Sequence, residues 1–202
     1  MHGHYCPGVA LGVMAATKAM QLMKQHADGM EDLIAISETN NCFSDGIQYV
    51  TGCTFGNNAL IFKDLGKTAF SLVKRNGKGI RVSTTVDSKE YMRESNPLFS
   101  ESYNKVVKGQ DHSKEAIEKF KSLGKEKAFA TLDLVFDRLF VIEEIKVEVP
   151  KYAPSYESII CEGCGELVMM SRVENNHCLD CAGQNIGCLT GDGIIILNTE
   201  AK

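Results

Sequence analysis

At 202 residues, 44% hydrophobic and 24% charged, the chain is long enough for one full core plus a small appendage, with the composition of an ordinary soluble globular protein. No apolar run approaches the roughly 20 residues a bilayer span needs, and no basic segment precedes the first apolar stretch, so the sequence predicts neither a membrane partner nor a signal peptide. The formal net charge of -4 disfavours nucleic acid, whose binding leans on Lys and Arg neutralising phosphates.

Pro7 to His26 reads as a helix, with Val9, Val13, Ala16, Met20 and Met23 on one stripe and Asp28-Gly29 as its stop. Leu33 to Ile36 is a short apolar run with the character of a buried strand. Ser44-Asp45 opens a second helix through Tyr49, ended by Gly52. Leu60-Ile61-Phe62 is a second strand. Ala69–Lys74 and Ile80–Thr84 flank Asn76-Gly77 and predict a hairpin. From Asp87 to about Glu126 the pattern is charged and helical. Asn96-Pro97 and Gly109 divide it into two or three helices, and acidic and basic side chains nearly cancel, as on a solvated face. Phe140 to Val149 alternates like a half-buried strand. Pro150 and Pro154 bracket a linker. Helices and strands mix without regular alternation, which predicts an α+β core over residues 1–152 and a separate module over 153–202.

Cys161-Glu162-Gly163-Cys164 and Cys178-Leu179-Asp180-Cys181 form two Cys-x-x-Cys knuckles separated by 13 residues. That spacing suits a tetrahedral structural zinc, because a tight turn aims both sulfurs of each pair at one ion. Four cysteines at zinc spacing predict a reducing, cytoplasmic location. Residues 153–202 carry two basic and seven acidic side chains, so the module favours a protein partner over DNA. His177 reads as a loop residue or an alternative ligand, and Cys188 as a spare buried thiol.

A second group lies near the start. His2, His4 and Cys6 form His-x-His-x-Cys just before a helix. Imidazole and thiolate are common ligands of zinc and similar metals, and a thiol at a helix N-terminus is activated by the dipole. Cys53 sits between Gly52 and Gly56, a turn expected to expose its thiol, and Asp45 is a candidate base or ligand. Cys42 reads as a small buried apolar residue. His26 and His112 read as surface helix residues. Cys6, Cys53 and Asp45 are thus the catalytic candidates, and His2, His4, Cys6 and Cys53 the candidates for a second metal in a core pocket.

Three blocks in order resemble the FmdE family, the E-type subunits of formylmethanofuran dehydrogenase: His2-Gly3-His4-Tyr5-Cys6-Pro7-Gly8; Glu38-Thr39-Asn40-Asn41-Cys42-Phe43-Ser44-Asp45-Gly46-Ile47-Gln48; and Thr51-Gly52-Cys53-Thr54-Phe55-Gly56-Asn57. The late knuckles resemble the zinc finger some members append. The resemblance implies an α+β core, helical elements that contribute to a homodimer, and a treble-clef-like finger. It also implies that His2, His4, Cys6, Asp45 and Cys53 converge in one pocket. The implied function is that of an accessory or enzymatic subunit linked to one-carbon metabolism. The alternative is a non-catalytic adaptor or regulator whose finger docks a partner protein.

Overall fold

The structure, a computed structural model, describes residues 2–25, 32–152 and 155–198. The expected helix stop at Asp28-Gly29, together with His26 and Pro154, lies outside the described residues. The chain divides into two compact units, Met1–Pro150 and Lys151–Lys202. No described helix is long and apolar enough to cross a membrane.

The first unit is built on a five-stranded mixed sheet in the order β2-β1-β3-β4-β5. Its strands are β1 (Leu33–Ser37), β2 (Leu60–Phe62), β3 (Ala69–Lys74), β4 (Lys78–Thr84) and β5 (Phe140–Lys146). Strand β2 runs parallel to β1, and the other neighbours are antiparallel. All five residues of β1 are buried, which is why its run is continuously apolar rather than alternating. Leu33 and Ala35 join the main core, whereas Ile34 and Ile36 join a second cluster with Val73 on the opposite face. The β3–β4 hairpin turns at Asn76-Gly77 as the sequence predicts: Gly77 has φ +77, and a Cβ there would overlap the carbonyl of Val147.

Helices α1 (Pro7–Met23) and α2 (Cys42–Thr51) pack on the main core. The buried side of α1 centres on Ala15, Ala16 and Ala19, with Leu11 and Met20. It is therefore rotated away from the expected stripe, and Val9 and Val13 are only half-buried. At Gly12 the helix lies so close to Phe43 of α2 that no side chain fits. The charged segment folds as α3 (Ser88–Ser95), α4 (Pro97–Tyr103), a π-helical turn (Asn104–Lys108) and α5 (Lys114–Leu132). Its breaks fall at Asn96-Pro97 and Gly109, where expected. Asn96 and Ser113 cap α4 and α5 through their side chains. A short helix, α6 (Phe136–Leu139), precedes β5.

Just past β1, Glu38 is buried and accepts two hydrogen bonds from Arg81 of β4, at 2.6 and 2.8 Å. Arg81 also reaches Glu143 of β5 at 3.2 Å, so one guanidinium ties three elements together. The Arg81 hydrogen bonds hold the Glu38 carboxyl below its ordinary value against the opposing effect of burial, helped by Lys67 and Lys63. Because the folded value is depressed, this pair stabilises the fold above the unfolded carboxyl pKa, and the contribution is lost as pH falls through the folded value. Arg81→Met, which strands a buried carboxylate, is expected to cost about 3 kcal/mol in urea unfolding at pH 7. The wild type should lose that advantage over the variant in titrations carried below pH ~4.

Candidate metal centres

In the second unit, β6 (Ser158–Ile160) and β7 (Leu167–Met169) flank the first knuckle, and β8 (Val173–Glu174) and β9 (His177–Cys178) lead into the second. Gly165 turns the first with φ +76, and Asn175-Asn176, at φ 50 and 63, turns the β8–β9 hairpin. The chain then closes with the hairpin β10 (Ile186–Thr190) and β11 (Gly193–Leu197). The four thiol sulfurs of Cys161, Cys164, Cys178 and Cys181 all lie within 4.8 Å of one another. The Cys178 N–H donates to the Cys161 sulfur at 3.2 Å, and the Cys181 N–H to the Cys178 sulfur at 3.4 Å. The Cys178 N–H is also the first cause holding the Cys161 thiol down to about 6, while the neighbouring Cys178 sulfur and burial push Cys181 up to about 12. Four thiolates cannot coexist at this spacing without a cation, so the donor set fits a divalent soft metal. His177 is not among the four: its Nδ1 pairs with the Asn175 carbonyl at 2.8 Å. Cys188, on β10, is half-buried rather than buried and lies outside the cluster.

The first unit carries another group. Cys6 is the residue just before α1, with extended backbone, and Cys42 is the first residue of α2. The two helix starts come together because glycines remove the side chains between them. A Cβ on Gly12 would overlap the Phe43 carbonyl, one on Gly46 would overlap the Val9 carbonyl, and one on Gly8 would lie 2.9 Å from the Cys42 Cβ. Gly3, at φ +82, then turns the segment so that His2 reaches the start of α2. His2 Nδ1 pairs with Asp45 Oδ2 at 2.7 Å. His2 Nε2 is buried and lacks a hydrogen-bond partner. One nitrogen of His2 and the sulfurs of Cys6 and Cys42 lie within 4.8 Å of one another.

The electrostatics of this trio are those of a proton-filled ligand set. The Cys42 thiol, donating to it, is the first cause lowering the Cys6 pKa to about 5, with the N–H groups of Val9 and Gly8 at the helix start also favouring thiolate. The same hydrogen bond, with burial, pushes Cys42 up. Partial burial works against a charged His2, but Asp45 and Cys6 outweigh it and raise its pKa. A buried imidazole with one nitrogen unpartnered and the other fixed by a carboxylate, grouped with two sulfurs, is a donor set that fits a zinc-type site.

Not every expected residue arrives here. His2 and Cys6 do. Asp45 arrives as the group that orients His2. His4 is exposed, its ring against that of His2 at 4.3 Å between centroids. Cys53 is not part of the group, which corrects the expected pairing of Cys6 with Cys53. Cys53 follows the C-terminal end of α2, about 16 Å along the helix direction from Cys42. It is 2% exposed in the main core, with its sulfur 3.6 Å from the Leu33 carbonyl. Gly52 ends α2 in the left-handed region and turns the chain inward instead of exposing the thiol. Cys42, expected as a buried apolar residue, takes the place given to Cys53. Its signal was available: like Cys6, it stands at a helix start, after the capping residue Asn41, whose side chain accepts from the Phe43 N–H at 2.9 Å.

A cavity of about 700 Å³ opens beside this trio. Cys6, Gly8 and Cys42 line it, and so do Phe99, Tyr103 and Phe120 from α4 and α5.

Residues 1–141 match the family described as FmdE, Molybdenum formylmethanofuran dehydrogenase operon. The chain belongs to the FmdE family. Over 208 residues it is 38% identical to a "Probable S-adenosyl-L-methionine-binding protein" of Archaeoglobus fulgidus, a match that covers 100% of this chain and 55% of the relative. The chain therefore spans about half the length of the curated relative it matches. Among solved structures, it is similar to a tungsten formylmethanofuran dehydrogenase FmdE-like protein from Syntrophus aciditrophicus, with TM-score 0.57 and 24% identity over 91% of this chain and 86% of that one. That likeness supports an FmdE-like fold. It says nothing of dimerisation.

Gly46→Ala in this FmdE-family chain should separate the two helix starts. The expected cost is about 1–3 kcal/mol of overpacking in thermal or urea unfolding. Thiol accessibility of Cys6 and Cys42 to a labelling reagent should rise in the same variant.

Proposed function

We propose that this FmdE-family protein binds two soft divalent ions, zinc being the best fit. The first is a structural ion on Cys161, Cys164, Cys178 and Cys181. The second is a functional ion held by His2, Cys6 and Cys42 at the end of the cavity. The observation that carries the second site is a buried His2 with an unpartnered Nε2, grouped within 4.8 Å with the Cys6 and Cys42 sulfurs. Three protein ligands is the count of catalytic rather than structural zinc, in which the fourth position is left for water or substrate. When bound, such an ion supplies Lewis-acid polarisation. Asp45 fixes the orientation of the His2 ring, and the α1 and α2 starts place the Cys6 and Cys42 sulfurs beside it.

The family's description and the name of the Archaeoglobus relative both touch one-carbon groups, and we place this chain in that chemistry as an accessory or enzymatic subunit. S-adenosyl-L-methionine, which the relative's name assigns to that protein, is a candidate occupant of the cavity beside the second ion. Exposed apolar side chains on α4 and α5, among them Leu98, Tyr103, Phe129 and Leu132, support a homodimer through these helices. The thiol-rich ligand sets support a reducing, cytoplasmic setting.

A second reading has its own observation. Ile160, Leu167, Met169 and Ile196 are exposed on the second unit, which supports an adaptor role in which the finger docks a partner protein. Removing residues 153–202 should then abolish a complex while the first unit stays folded. Retention of the same partners by the truncated chain overturns that reading.

Metal content per chain tests the main reading. The wild type should carry two ions. Cys42→Ser and His2→Ala should each carry one, and so should the quadruple variant of the four late cysteines. Cys53→Ala should keep both. A wild type with one ion, lost entirely in the quadruple variant, overturns the second site.

A further inference from the structure

Two of the three donors in the early group are thiols, and a small molecule can reach both. Cys6 and Cys42 are half-buried, and both line the cavity of about 700 Å³. Their sulfurs lie within 4.8 Å of each other, and the Cys42 thiol is a hydrogen-bond partner of Cys6. Glycine keeps the space beside them clear: a Cβ on Gly8 would lie 2.9 Å from the Cys42 Cβ and 3.6 Å from the Cys6 sulfur. Cys6 precedes the first turn of α1 with extended backbone, so its side chain can turn toward Cys42 without unwinding either helix.

The other thiols are placed differently. Cys53, the third cysteine of the first unit, is buried in the main core, away from the cavity and from any exchange partner. In the late cluster Cys161 and Cys181 are buried, and each of the four sulfurs has three neighbours at similar range, so no single pairing is selected. Cys188 lies outside both clusters. Among the described residues, Cys6 and Cys42 are thus the two thiols that have one another as sole thiol neighbour and a cavity through which a reagent can approach.

We propose that Cys6 and Cys42 are a reversible dithiol–disulfide pair, closed by a low-molecular-weight disulfide that enters through the cavity, and that closure removes two of the three donors of the second metal site. The pairing stands on the two sulfurs alone. Its effect on metal rests on the reading of the trio as a metal site. One protein sulfur attacks the reagent as thiolate; the reagent's S–S bond breaks, a mixed disulfide forms and one small thiol leaves. The other protein sulfur attacks that mixed disulfide, the Cys6–Cys42 bond forms and the second small thiol leaves. The pair gives up two electrons and two protons, and both small thiols carry them away. His2 alone is then left to hold an ion. In a reducing setting the pair stands open as two metal ligands, and an oxidising shift closes it, the transient use to which intracellular disulfides are commonly put.

Peptide mapping by mass spectrometry tests this on the full-length protein, chelator-treated and zinc-loaded, after exposure to bis(2-hydroxyethyl) disulfide. The chelator-treated protein should form a Cys6–Cys42 cross-link, and 2-mercaptoethanol should return both thiols. Cys42→Ser should lose the cross-link and stop at a mixed disulfide on Cys6. Cys53→Ser should cross-link as the wild type does. In the zinc-loaded protein the second ion should be released in proportion to the cross-link, read by a chromophoric zinc indicator, with the circular dichroism of the fold kept. Both thiols still free in excess reagent, separate mixed disulfides on Cys6 and Cys42, or a cross-link from either to another cysteine overturns the pair. A cross-link that forms with the second ion retained overturns the effect on metal. A wild type that carries only the late ion also overturns that effect, while the cross-link in chelator-treated protein still decides the pair, so the two failures are told apart.

Discussion

The close approach of α1 to α2 is the constraint on which the N-terminal site depends. Gly12 and Gly46 allow backbone to lie against backbone where any Cβ would overlap a carbonyl. Each of these glycines carries a helix-propensity cost, and what the pair gains is position. Two helix starts, each with a cysteine, are set side by side, and both contribute the positive end of a backbone dipole. His2 completes the group only because Asp45 stands on the first turn of α2 to receive it. The glycines thus act on function through packing: they touch neither metal nor ligand, yet they determine how far apart Cys6 and Cys42 stand.

The two thiol clusters differ in how they are assembled, and that difference governs how readable they are. In the late cluster each pair of sulfurs is brought together by a local turn, and hydrogen bonds between near neighbours in sequence, such as Cys178 N–H to the Cys161 sulfur and Glu162 N–H to the Asn176 carbonyl, join the pairs. Spacing along the chain therefore carries nearly all the information. In the early cluster Cys6 and Cys42 are 36 positions apart and meet by tertiary packing, which no spacing rule encodes. Hence the four late cysteines are legible directly, whereas the choice between Cys42 and Cys53 as the partner of Cys6 is not. Flanking glycines drew attention to Cys53, but Gly52 is a helix cap that turns the chain into the core.

The fold was legible to a similar degree and for related reasons. Strand β1, the β3–β4 hairpin and the breaks at Asn96-Pro97 and Gly109 follow from local chemistry: a continuous apolar run, an Asn-Gly turn, a proline. The buried face of α1 does not. Hydropathy ranks Val9 and Val13 above Ala15 and Ala19, yet the alanines are the ones buried in the main core, a facing set by tertiary packing. The Glu38–Arg81 pair also escaped a local reading, because its members lie 43 positions apart and only the β1-β3-β4 strand order brings them together.

The protonation pattern of the early trio links structure to chemistry without any further group. A Cys6 thiolate, a Cys42 thiol and a His2 drawn toward its charged form make a compact set that is stable as it stands. A divalent ion held by His2, Cys6 and Cys42 would take the place of the proton on Cys42 and balance the charge of the two sulfurs. Binding is then an exchange of cations within a site already shaped by packing, rather than an ordering of loose chain. The late cluster is the opposite case. Its unit has short strands and many exposed apolar side chains, and too little core of its own to fold securely. There a bound metal's free energy would be folding free energy, whereas in the first unit the core supplies the fold without one.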